Sequence, residues 1–210
     1  DASSLGIVGA GVQSYTQLEA IAAVRDIEEV VVSDLDEARV ADFVDAFEDR
    51  FDVRAGSISE AGHCDVLSTV TPVEDPVVGP DDVGDHTHVN AMGADAEGKH
   101  ELADDLLLNA TVVIDDHEQC THSGEINVPY AAGTLTDDDI YGEIGEIVVG
   151  RRAGRPGTPG TAADVAGVEG VSVFDSTGLA IQDVAAARVV YERADELDNG
   201  YPFDLLGLDG

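Results

Sequence analysis

The sequence predicts an α/β fold built on a doubly wound parallel sheet. Three observations carry that expectation. Short apolar runs alternate with segments of helical period along most of the chain. The first run, Leu5 to Val8, leads through Gly9-Ala10-Gly11 into a helix-period segment. The second, Val30 to Ser33, ends in an acid, Asp34. No internal repeat or low-complexity block suggests another architecture.

Taken in order, Val12 to Val24 places Val12, Tyr15, Leu18 and Ala22 at helical spacing. Val30 to Asp34 reads as a buried strand. Glu37 to Arg50 is an amphipathic helix with Val40, Phe43, Val44 and Phe47 on one face. Asp65 to Thr71 is a strand, stopped by Pro72, which lacks an N–H for the ladder. His88 to Met92 and Val112 to Ile114 read as further strands. Asp137 to Val149 reads as a helix ending near Gly150, and Gly154 to Gly160 as an exposed loop. Val171 to Phe174 is a last strand and Gly178 to Glu196 a helix. The tail to Gly210 receives no assignment.

The charge excludes several functions. The 210 residues carry 44 acids against 10 bases, a net charge of −34. Such a field repels nucleic acid and anionic membrane surfaces. The acids are spread along the chain rather than gathered in a tail, and 43% of residues are apolar, enough for a core. The composition resembles that of proteins adapted to molar salt, where counterions screen the repulsion. We therefore expect a cytoplasmic protein that loosens in dilute buffer. Cys64 and Cys120 are too few for a disulfide framework and are expected as reduced thiols. No apolar run is long enough to span a membrane and no signal-peptide pattern opens the chain. The chain begins at Asp1 rather than Met, four residues before a strand, so a start at a domain boundary is expected.

Gly9-Ala-Gly11-Val12-Gln13-Ser14 lies between a strand and a helix, the context a dinucleotide fingerprint requires. The first Gly permits the tight turn. The second lets backbone N–H groups approach a pyrophosphate at the positive end of a helix. Ser14 stands where a third Gly is usual and is still small enough for close helix–sheet packing. Asp34 would accept hydrogen bonds from the adenosine ribose and repel a 2′-phosphate, which favours NAD over NADP.

A second constellation is Asn90-Ala-Met-Gly-Ala-Asp95-Ala-Glu-Gly-Lys99-His-Glu101, in which Glu101 receives no role. It follows a strand, and ligands bind at the carboxyl ends of parallel strands. Asp95 sits among small residues, where a carboxylate can serve as a proton acceptor. Lys99 is the single lysine in the chain, so a specific role beside a phosphate or carboxylate is expected. The six histidines show neither HExxH nor paired Cys/His spacing, so no metal site is expected. A GxSxG elbow is also missing, which disfavours a serine hydrolase.

The strings GAGVQS, DVLSTVTP, HVNAMGAD, GKHEL, VVIDDHEQ, SGEI, IGEIVVGRRAGR and FDSTGLAIQDVAAARVVYE occur in that order. Together they resemble the ornithine cyclodeaminase/mu-crystallin family, and within it the archaeal alanine dehydrogenase branch. The resemblance implies a Rossmann-type NAD-binding domain over residues 1–178. It also implies that residues 179–210 join a substrate- and dimer-forming domain whose N-terminal part lies outside this chain. That part would carry the arginine pair and lysine that grip a small amino-acid substrate, and would form the homodimer. It implies pyrophosphate contacts from Gly9, Gly11, Val12, Gln13 and Ser14, and ribose contacts from Asp34, with Leu35 and Asp36 nearby. Thr71 and Pro72 would line the cofactor groove. Asn90, Ala91, Met92 and Gly93 would approach the nicotinamide side, and Ser176, Thr177 and Gly178 would close over it. Asp95 matches the family's catalytic aspartate. The helix from Leu179 would leave an apolar face with Val184 and Val189 exposed. The implied activity is NAD-dependent oxidation of L-alanine, with ornithine cyclodeamination, ketimine reduction and non-catalytic nucleotide binding as alternatives.

Overall fold

Apolar alternation on two-sided strands builds the sheet. In β1 (Ser4–Val8), Leu5 and Ile7 enter one core and Val8 the other. In β2 (Glu29–Ser33), Val30 and Val32 join Leu5 and Ile7, while Val31 joins Val8. A computed structural model describes residues 2–154 and 170–201. The described strands continue with β3 (Asp52–Ala55), β4 (Val66–Thr69), β5 (His88–Ala91), β6 (Thr111–Ile114), β7 (Ile140–Glu143) and β8 (Ser172–Asp175). All pair in parallel, in the order β3-β2-β1-β4-β5-β8-β6-β7. This is the doubly wound α/β architecture expected. Ile7 stands opposite Val32 on one side and Ser68 on the other. Winding reverses between β1 and β4, so their carboxyl ends flank the crevice where such sheets take ligands.

Helices cover both faces. α1 (Val12–Ala22) and α2 (Glu37–Phe47) place Leu18, Phe43 and Phe47 on the Leu5/Val30 core. Tyr15, Phe43 and Phe47 stack with centroids 4.9–5.6 Å apart, contacts worth about 0.5–1.5 kcal/mol each beyond area burial. The opposite core takes Ala61 from α3 (Ile58–Gly62), Leu106 and Leu107 from α4 (Asp104–Asn109), and Cys120 from α5 (His117–Ser123). α6 (Asn127–Ala132) and α7 (Ile144–Val148) complete this part.

One expectation needs correction. Asp137 to Val149 is not a single helix but a 3-10 turn (Asp137–Asp139), then β7, then α7. The apolar spacing of Ile140, Ile144 and Ile147 suits a helix, but Gly142 at φ +154° breaks it and β6 captures Ile140–Glu143 as an edge strand. Residues 155–160 of the expected Gly/Pro-rich loop lie outside the described residues.

The chain divides into two compact units, Asp1–Thr177 and Gly178–Gly210. The second contains α8 (Ala180–Glu196), supported by Arg188–Glu192 and Arg193–Glu196 pairs at 2.7 and 3.0 Å. Exposed pairs of this kind contribute about 0.3–0.5 kcal/mol each. Within this unit α8 buries no side chain, and Val184 and Val189 are exposed.

Candidate functional site

The glycine loop after β1 is built by steric demand. Gly9 has φ +101°, a conformation side chains rarely adopt. A Cβ there would lie 2.9 Å from both Thr71 Cγ2 and the Val70 carbonyl. The Gly9 N–H donates to Ser33 O at 2.8 Å, tying the loop to the end of β2. At Gly11 an added Cβ would meet nothing within 4 Å, so the approach is open. Ser14 is fully buried and its hydroxyl donates to Gly11 O at 2.6 Å, closing the turn from beneath.

Gly11 is the N-cap of α1, with no side-chain cap and no acid in the first turn. Three other described helices carry side-chain caps, while α4, α6, α7 and α8 have none; of these four only α6 also lacks a first-turn acid. Asp36 caps α2, Ser57 caps α3 and Asp116 caps α5, each accepting from backbone N–H groups. The uncapped Val12 and Gln13 amides and the dipole of α1 suit an anion. Val12 and Leu35 are exposed beside it. Asp34 directs its carboxylate to the same loop, accepting from Ala10 N at 2.6 Å and Asp36 N at 2.8 Å. A diphosphate with an attached ribose matches this set: free N–H donors, a glycine with no Cβ, and a carboxylate beside them.

Around the carboxyl ends of β4, β5, β6 and β8 the loops are held by buried carboxylates. Glu101 is fully buried. It accepts from Thr69 Oγ1 (2.7 Å), Thr71 N (2.6 Å), Thr71 Oγ1 (2.7 Å) and Gly93 N (2.9 Å). Glu125 Oε1 accepts from the N–H groups of Glu101 (2.8 Å) and Leu102 (2.5 Å). Asp175, at the end of β8, accepts from Glu125 N (2.9 Å) and Ile126 N (3.2 Å). Asp115 Oδ2 accepts from Ser176 Oγ and Thr177 N, both at 2.9 Å. Burial pushes the Glu101 carboxyl up against the pull of its four donors. Burial, with Glu101 nearby, pushes Glu125 well above the carboxylate range. Burial also pushes Asp175 up to about 7.

Asp95 is exposed and pairs with Lys99, four residues on in the same loop. Asn127 pins that loop, accepting from Gly98 N at 2.9 Å and donating to Lys99 O at 2.7 Å. The single lysine thus stands beside the candidate proton acceptor. Thr71 and Gly93 meet on the Glu101 carboxylate. Asn90 and Ala91 end β5, with Met92 held by Thr69 O at 3.0 Å. The carboxylate of Asp36 is committed to the α2 amides of Ala38 and Arg39. Ser176 and Thr177 close the first unit, and Gly178, at φ +80°, opens the second.

Sequence reasoning missed Glu101, Asp115, Glu125, Asn127 and Asp175. Each missed acid adjoins a large apolar residue (Leu102, Ile114, Ile126, Phe174), but so do exposed acids such as Asp26, Asp42 and Asp52, so no local signal singles them out. Cys64 and Cys120 are free, buried thiols. Among the described residues, no group of three His, Cys, Asp or Glu is placed to hold a metal, and no helix is long and apolar enough to cross a membrane.

Comparison with known proteins agrees with this geometry. Residues 1–198 match the ornithine cyclodeaminase/mu-crystallin family. An alanine dehydrogenase from Archaeoglobus fulgidus is 44% identical over 195 residues, covering 92% of this chain and 58% of that protein. The solved structure of an archaeal alanine dehydrogenase dimer with bound NAD superposes with a TM-score of 0.89 at 42% identity, over 98% of this chain and 62% of that one. Thermococcus litoralis Δ1-pyrroline-2-carboxylate reductase, solved with NADH and L-proline, gives a TM-score of 0.86 at 29% identity, over 97% and 61%. The chain spans about three fifths of the length of these relatives. It belongs to the ornithine cyclodeaminase/mu-crystallin family.

Proposed function

We propose that this chain supplies the NAD-binding part of an oxidoreductase acting on a small L-amino acid, with L-alanine as substrate. The overall reaction is L-alanine, NAD and water going to pyruvate, ammonia and NADH. The observation that carries the cofactor reading is the acid-free, uncapped first turn of α1 behind Gly9 and Gly11, with Asp34 beside it. The alanine assignment rests on the Archaeoglobus relative.

Gly11, Val12 and Gln13 would present N–H groups to the pyrophosphate, and Asp34 would accept from the ribose hydroxyls. When bound, the nicotinamide supplies a hydride acceptor for the substrate α-carbon. Thr71, Pro72, Asn90 to Gly93 and Ser176 to Gly178 would shape the nicotinamide end. Asp95 would take a proton from the amine or from water, with Lys99 paired to its carboxylate. The similarity to a pyrroline-carboxylate reductase supports a second reading, reduction of a cyclic imine. Ornithine cyclodeamination is a third, which the family includes by name. The reading includes a homodimer working in the cytoplasm, with residues 179–210 contributing to its substrate domain.

The test uses the full-length protein in molar KCl with NAD, following nicotinamide absorbance and ammonia with L-alanine and, separately, L-ornithine. NADH appearing in step with ammonia from alanine is expected. Ammonia from ornithine without net NADH establishes the cyclodeaminase instead. Asp95→Asn should abolish most turnover while NAD still binds, and undiminished turnover refutes its role.

A further inference from the structure

The buried carboxylate of Glu101 has no part in the chemistry described so far, yet it touches two loops of the proposed site at once. Glu101 lies on the same β5–α4 connection as Gly93 and folds back onto its start. It sits 30 residues from Thr71 and 8 from Gly93. Its two oxygens divide the work. Oε1 takes the Thr71 N–H and hydroxyl, and Oε2 takes the Gly93 N–H and the Thr69 hydroxyl. Thr69 ends β4, Thr71 follows it, and Gly93 follows β5. One side chain therefore clips together the ends of two adjacent strands.

The approach is close. A Cβ on Gly93 would fall inside the van der Waals shells of the Thr71 carbonyl and the Glu101 carboxylate, so only glycine permits the junction. Asp95 lies two residues beyond Gly93, so its backbone leaves the sheet from this clip. The clip is itself held from behind. Glu125 Oε1 fixes the Glu101 N–H, and the Glu101 carbonyl accepts from Val77 and Val78 at 2.8 and 3.1 Å.

We infer that Glu101 is a positioning residue, which through Thr71 and Gly93 sets the spacing between the cofactor groove and Asp95. The inference rests on the dinucleotide reading above. It implies that Glu101 affects the chemical step more than overall cofactor affinity, because the α1 amides and Asp34 make no bond to the clip, which meets the glycine loop only where Thr71 packs against Gly9. Misplacing a reacting group by about 1 Å is enough to cost about 100-fold in rate.

Glu101→Gln in the full-length protein is the test. Oε1 and Oε2 each face a backbone N–H, so whichever way the amide lies, its NH2 confronts one of the two donors. The expected result is a folded protein whose NAD affinity falls much less than its kcat, which drops by about 100-fold. In an Asp95→Asn background the same change should cost little more, because both act through one group. Glu101→Asp, one methylene shorter, should show the same kcat-against-affinity split at smaller amplitude, and it serves if the Gln variant does not fold. An unchanged kcat in a folded variant overturns the inference, as does full additivity with Asp95→Asn. Wild-type protein that binds no NAD overturns the cofactor reading and the inference with it.

Discussion

Replacing Glu125 by Gln removes one buried titrating proton without removing an acceptor. Glu125 is fully buried, and its Oε1 accepts the Glu101 and Leu102 amides. Its Oε2 has no hydrogen-bond partner among the described residues. A Gln oxygen at the Oε1 position keeps both bonds. Burial raises this carboxyl, and Glu101 and Asp175 reinforce the shift. The folded state therefore holds a proton that the unfolded chain releases above the usual range of about 4.3. With more protons bound when folded, stability is full below that range and falls as pH rises through the folded value. The slope for one such proton is about 1.4 kcal/mol per pH unit. Glu125→Gln should lose this slope, so it gains on wild type as pH rises above the usual carboxylate range. Guanidinium unfolding at fixed ionic strength, from pH 5.5 to 8, reads it directly. A competing picture has ionised Glu125 paired with protonated His100, whose Nε2 lies 3.8 Å from Oε1. Burial lowers the His100 pKa, which opposes that pair. Parallel slopes, with Glu125→Gln losing about 3–5 kcal/mol throughout, would establish the ion pair and refute the neutral carboxyl.

Three further outcomes are expected. Asp34→Asn keeps an acceptor for the Ala10 amide but loses the charge, so preference for NAD over NADP should shrink by about 10–100-fold, and an unchanged ratio of dissociation constants removes its ribose role. Gly9→Ala forces a side chain into φ +101° against Thr71 and Val70, costing about 2 kcal/mol in denaturant unfolding; a neutral effect means the loop tolerates another conformation. Lowering KCl from 2 M to 0.1 M lengthens the Debye distance from about 2 Å to about 10 Å and should lower Tm, given a net charge of −34, with a salt-independent Tm contradicting the screening argument.

The periodic elements were legible because their apolar residues report burial directly. α1, α2 and α8 and the strands β1, β2, β4, β5, β6 and β8 follow the expected segments within a few residues. β3 was missed because Asp-Val-Arg-Ala at an edge carries almost no apolar signal, and its residues are mostly exposed. α3, α4, α5 and α6 have 5–7 residues each, too few for a helical period to stand out. α3 was recoverable from Ser57 and Glu60, a capping box spaced three apart. The glycine loop was legible because glycine has a conformational meaning on its own. The buried clips were not, since an acid's environment is tertiary and 44 acids leave no contrast.

That absence of contrast makes the exceptions informative. In a chain this acidic, an acid in the first turn is the default for a helix, because it complements the dipole. It occurs in α2, α3, α4, α5, α7 and α8. α1 lacks both the acid and a side-chain cap, and it follows the glycine loop. A purely structural turn gains nothing from leaving those donors unpaired, whereas a turn that receives a diphosphate must keep them free. α6 also lacks a first-turn acid, but a strand-end carboxylate, Asp175, already takes the Glu125 and Ile126 amides at its start, and no glycine of positive φ leads into it. The conjunction at α1 is therefore what distinguishes a ligand site from chance. Acid placed there, as Gln13→Glu, should repel the diphosphate: NAD affinity should drop while α1, with its dipole better complemented, becomes slightly more stable. Affinity and stability moving in the same direction would contradict the argument.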